Sequence, residues 1–152
     1  MTASTKAFAF RFESLLNLRR LKEDQARAEF ARARRDVLAQ NEILLASLKE
    51  EQEGKAAARE LKKSAIDPVQ LALHDGYARA LERRIRREFE RLQELARIEA
   101  EKRRILTRRM KDVKVLERLR ERRAAAHALE EGREEQKVLD EVAQNRGRDG
   151  GA

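Results

Sequence analysis

The side chains able to perform bond chemistry are few and scattered. The chain holds two histidines, His74 and His127, and no cysteine. A histidine works as a base or metal ligand only beside a partner that orients it, and these two lie far apart in sequence. They read as surface or seam residues. Without cysteine there is no thiolate nucleophile, disulfide or cysteine metal site. No glycine-rich loop is present to cradle a phosphate. Carboxylates are plentiful, yet they are spread along the chain instead of being gathered in a cleft that would shift their protonation. The chain is therefore expected not to be an enzyme, to hold neither metal nor cofactor, and to take no small-molecule substrate.

The elements that carry these residues follow from composition. Of 152 residues, 42% are charged and 4% aromatic, too little bulky apolar matter for a layered core. Ala, Leu, Glu, Lys, Arg and Gln dominate, and all favour helix. There is one proline, and three of the six glycines fall in the last six residues. Long helices that bury a narrow seam fit this better than disorder. No apolar run approaches the ~18 residues that span a bilayer. The start, MTASTKAFAFRFESLL, lacks a secretory apolar core, so a cytoplasmic location is expected.

Ser64-Ala-Ile-Asp67-Pro68 interrupts the helical pattern. Asp67 can cap a new helix, Pro68 suits its first position, and Gln70 stands where a capping box would place it. The spacing predicts an all-α fold of two long helices in an antiparallel coiled-coil hairpin, a single domain over 1–144. Its parts are a helix over 8–63, a turn over 64–67, a helix over 68–144 and a disordered tail over 145–152. Steps of four and three predict one seam through Phe12, Leu16, Arg19, Glu23, Ala26, Phe30, Ala33, Val37, Gln40, Leu44, Ser47, Glu51, Gly54, Ala58, Leu61 and Ala65. The other runs through Leu95, Ile98, Lys102, Ile105, Arg109, Asp112, Leu116, Leu119, Arg123 and Ala126. Facing residue numbers should add to about 131 around the turn. The second helix is the longer, so it overhangs from roughly Ala124 to Gln144 and carries Leu129, Val138, Leu139 and Val142 beyond its partner.

The net charge of +8 is uneven: residues 77–125 hold 18 basic and 9 acidic side chains, residues 126–152 hold 4 and 7. A basic rod can bind nucleic acid, an anionic membrane or an acidic protein groove, or be a solvated face. Only Tyr77 and Phe89 offer rings for base stacking in that stretch, which weighs against nucleic acid. Two readings stay beside the docking one: a basic coiled coil on nucleic acid, and a coiled coil that self-associates.

The two ends carry a resemblance. FRFESLLNLRRLKEDQARAEFARA, from Phe10 to Ala33, resembles the opening of the flagellar export protein FliJ family, with its aromatic residue, Leu-Leu pair and charged helix. KVLERLRERRAAAHALEEGREEQKVLDEVAQNR, from Lys114 to Arg146, resembles that family's closing segment, most tellingly at Arg133 to Glu141. The middle matches in periodicity, with Tyr77, Leu81 and Ile85 where the family's second helix starts. Related type III secretion stalk proteins are similar in build. The resemblance implies a stalk-like, non-enzymatic component of the flagellar type III export apparatus, at the inner membrane face of the flagellar base. Its implied partners are a hexameric export ATPase, the export gate's cytoplasmic domain and export chaperones, with membrane contact only through the apparatus. It implies ATPase contact through Phe12, Leu15, Leu16, Arg133, Gln136, Asp140 and Glu141. Gate contact is implied through Tyr77, Leu81 and Ile85. Packing within the hairpin is the competing role for Phe12, Leu16 and the Tyr77 stripe, and a solvated helix end is the competing role for the acidic overhang.

Overall fold

A computed structural model describes residues 6–65 and 67–151. It contains two helices, α1 over Glu13–Lys62 with 50 residues and α2 over Pro68–Asp149 with 82. There are no strands among the described residues. The chain divides into two compact units: Asp24–Thr107, and Met1–Glu23 together with Arg108–Ala152.

The Asp24–Thr107 unit contains the turn, and its helices run antiparallel. Lys63 and Ser64 close the end of α1 by donating their amides to the carbonyls of Glu60 and Leu61. Asp67 caps α2: its carboxylate accepts the Val69 amide at 3.0 Å, and its carbonyl accepts the Leu71 amide. Pro68 then opens the helix, where a missing amide costs nothing. Ile66, within the turn predicted over 64–67, lies outside the described residues. Ala26, Ala33, Leu44 and Ser47 from α1 and Leu81, Leu95 and Glu99 from α2 are buried. Polar bonds fix the register across the pair. The Lys102 ammonium meets the Glu29 carboxylate at 2.8 Å, and the Gln40 amide donates to the Glu88 carbonyl at 3.1 Å. Glu99 accepts from Arg34 at 3.4 Å and from Arg103 at 2.9 Å.

In the second unit the small core is Phe10, Leu16, Val113 and Leu116, with Phe8, Phe12 and Leu119 packed against it. Cross-helix bonds join Arg19 to the Asp112 carbonyl at 3.2 Å, Arg20 to Glu117 at 3.3 Å and Arg120 to Glu13 at 3.0 Å. Residues Arg19 with Asp112, like Glu29 with Lys102, keep the expected sum of 131.

Three expectations are corrected here. The first helix starts at Glu13, not Phe8. Burial alternates from Phe8 to Arg11, so both Phe8 and Phe10 face α2; a helix would turn them to opposite sides. The second helix continues to Asp149, through the tail expected to be disordered. Gly147 costs a helix only about 1 kcal/mol. Arg146 and Arg148 complement the C-terminal dipole, and the Gly150 amide closes on the Arg146 carbonyl at 3.1 Å. Finally, the α2 seam departs from the expected one at Ile98, Arg123 and Ala126, while Lys102, Ile105, Arg109, Asp112 and Leu119 are half-buried as expected. Glu99 and Val113 are buried, Ala124 and His127 are half-buried, and Ile98, Arg123 and Ala126 are exposed.

Candidate partner-docking surfaces

The aromatic start of the chain is built onto the side of α2. The Phe8 ring tilts against the His127 imidazole with centroids 5.6 Å apart, and Phe10 and Phe12 meet edge to face at 5.8 Å. The Arg123 guanidinium lies over the Phe12 ring at 5.4 Å, and that of Arg11 at 5.7 Å. Such contacts are worth about 0.5–1 kcal/mol when exposed, and the one from Arg123 holds Phe12 against α2. Leu16 has no exposed surface, whereas its neighbour Leu15 is 38% exposed. Of the three N-terminal candidates, Leu16 is a core residue, Phe12 is half-covered and Leu15 is open to a partner.

Beyond Glu131 every described residue of α2 is exposed. Arg133, Gln136, Asp140 and Glu141 therefore stand free on the helix, with Gln136 donating to Asp140 at 3.0 Å. Leu129, Val138, Leu139 and Val142 are also exposed, between 46% and 63%. A helical stretch this long is marginal alone, because helices owe most of their stability to packing. A monomer that leaves this many branched apolar side chains on one unpaired helix offers a contact surface.

Near the turn, Tyr77 is half exposed, Leu81 is buried at 4% and Ile85 is half-buried. The Tyr77 hydroxyl and the Arg84 guanidinium both donate to the Glu50 carboxylate, which ties the start of the stripe to α1. Leu81 thus packs within the unit, while Tyr77 and Ile85 retain accessible surface. Ile85 also lines a shallow groove of about 450 Å³ with Leu44, Leu48 and Phe89. Phe89 is half exposed there. Leu44, Leu48 and Phe89 were not singled out in the sequence as contact residues. The signal that could have found them is the i, i+4, i+8 run Leu81, Ile85, Phe89, which extends the Tyr77 stripe by one turn.

Both histidines are half-buried. His74 lines a cleft beside Tyr77 and Gly54, and the His127 Nε2 lies 3.8 Å from Glu131. Among the described residues no group of three or more His, Cys, Asp or Glu side chains is arranged to hold a metal ion. Among those residues, too, no helix is long and apolar enough to cross a membrane.

A family model described as Flagellar FliJ protein matches residues 8–151, nearly the whole chain. No curated protein and no solved structure matches it.

Proposed function

The chain belongs to the flagellar FliJ protein family, and from that premise we propose that it is the stalk of a flagellar export ATPase. Membership makes it a component of the flagellar export apparatus. The finer reading has four parts. The exposed end of α2, with Arg133, Gln136, Asp140 and Glu141, joins Phe12 and Leu15 in contacting a hexameric ATPase and promoting its assembly. Tyr77 and Ile85 contact the export gate's cytoplasmic domain. Export chaperones are escorted by the same chain. The work is done in the cytoplasm at the inner membrane face of the flagellar base, by docking and not by bond chemistry.

One observation carries this reading: the last stretch of α2 is helical, fully exposed and unpaired, and it mixes apolar with charged side chains. A partner that encloses such an end supplies the packing it lacks. The buried Leu16 and Leu81 enter the account as supports, holding Leu15 and Tyr77 at the surface. The test is ATP turnover by the purified export ATPase with added full-length chain, compared with a chain truncated after Glu131. Stimulation by the full chain and its loss on truncation support the stalk. Equal turnover with both chains sinks it.

A further inference from the structure

The unit formed by the two chain ends contains a cleft of about 240 Å³ lined by Leu15, Leu18, Arg19 and Lys22 from α1 and by Arg109 and Asp112 from α2. Three of these side chains are cations and one is a carboxylate, an excess of two positive charges. Arg19 is held in place, its guanidinium donating to the Asp112 carbonyl at 3.2 Å. Among the described residues neither Lys22 nor Arg109 forms an ion pair, although many other cations of the chain do. Leu15 and Leu18 are 38% and 47% exposed, so apolar surface borders the free charges. On α1 these residues follow the spacing of one helix face, which presents them together. Two clefts of the turn-containing unit lean the other way, one lined by Glu51, Asp75 and Glu82 against Lys55 and the other by Glu51 and Glu82 against Arg86.

We propose that this cleft is a docking site for an acidic, leucine-bearing segment of a partner protein. One apolar side chain of that segment rests on Leu15 and Leu18, and flanking carboxylates pair with Lys22 and Arg109. Charge complementarity selects the acid, and the two leucines select a peptide over other polyanions. No aromatic ring lines the cleft to stack a base, and its floor is concave where a lipid surface would need a flat or convex face. The inference rests on the stalk reading only in that Leu15 serves both. It places the specific recognition on the packed unit, with the exposed end of α2 as a second contact.

The experiment uses the full-length chain and a synthetic helical peptide with a Leu/Glu repeat, followed by fluorescence anisotropy. A Leu/Lys peptide, a DNA duplex and anionic phosphatidylglycerol vesicles serve as rival probes. The Leu/Glu peptide should bind, and the Lys22→Glu, Arg109→Glu pair should weaken it at least tenfold with helix content unchanged. Lys22→Glu alone, on an exposed residue, should weaken it several-fold, as should Leu18→Ser. Absence of binding, or binding indifferent to these substitutions, overturns the proposal. So does tighter binding of DNA or vesicles that the same charge reversals abolish, because the site would then read polyanions. Truncation after Glu131 tests the stalk without touching these residues, so either reading can fail alone.

Discussion

Leu15 and Leu16 are neighbours in sequence with opposite duties, and the difference is a matter of helix rotation. Leu16 is fully enclosed beside Phe10, Val113 and Leu116. Leu16→Ala should cost about 2–5 kcal/mol, the usual range for a cavity left by a buried leucine. Chemical denaturation followed by circular dichroism would read it. Leu15→Ala should leave the midpoint nearly unchanged and lower binding instead. Glu99 offers a second test. It is a buried carboxylate held by two arginines that are themselves half or more exposed. Buried ion pairs often hold less stability than apolar packing would. Glu99→Leu should therefore raise the thermal midpoint, while permitting register slips that a cross-linking pattern between the helices would reveal. A lower midpoint would mean that the pair is a net stabiliser. Glu29 supplies the pH dependence. The hydrogen bond and charge of Lys102 hold its carboxyl below the ordinary range. A depressed acid stabilises above its unfolded pKa and ceases to as pH falls through the folded value. The midpoint difference between the wild type and Glu29→Gln should thus be present near neutral pH and vanish in strong acid. It should be small throughout, since the pair is solvent-exposed.

At the scale of elements, α1 was legible almost residue by residue. Every seam position expected from Phe12 to Leu61 is buried or half-buried, and only the last, Ala65, lies past the helix and is exposed. Steps of four and three from Phe12 allow only one phase, because Leu16, Ala26, Ala33 and Leu44 all fall on it. The second helix is ambiguous: two phases share Leu95, Lys102, Arg109 and Leu116 and differ between. One inserts Ile98 and Asp112, the other Glu99 and Val113. Hydrophobicity at Ile98 favours the first, but the helix exposes Ile98, buries Glu99 and Val113 beside a half-buried Asp112, and meets Glu99 with arginines from two sides. That pairing depends on Arg34, far away in sequence, so no local pattern could announce it. The turn was legible because Asp67 and Pro68 act locally, whereas the non-helical start was not: its two phenylalanines are positioned by contacts on α2. Gly76 sits in α2 with open space where a side chain would go. Gly76→Ala should stabilise by about 0.5–1 kcal/mol, raising the thermal midpoint. No gain there would mean that this turn of helix is not populated.

The whole molecule divides its labour between packed and unpacked surface. Its cores are small, with nine buried apolar residues among the described ones, and its cross-helix bonds are largely between charged side chains. Such a chain holds one register without a deep core, and it leaves the end of α2 and the Leu15 cleft free for partners. The candidate sites were legible as segments, from the two ends and the Tyr77 stripe. Which members face outward was legible for Leu15 and Leu16, since only Leu16 falls on the α1 seam, but not for the Tyr77 stripe, which precedes the seam written for α2. Leu16 and Leu81 are enclosed, while Leu15 and Tyr77 are open.

The central claim is that the exposed end of α2 engages the export ATPase. Its most direct measurement is the hydrogen-exchange rate of amides from Gly132 to Asp149, with and without the purified hexamer. Exchange in the free chain should be fast, since nothing packs on that helix, and should slow at least tenfold when the ATPase is added. Unchanged exchange across that stretch, at concentrations where the two proteins co-elute, would contradict it.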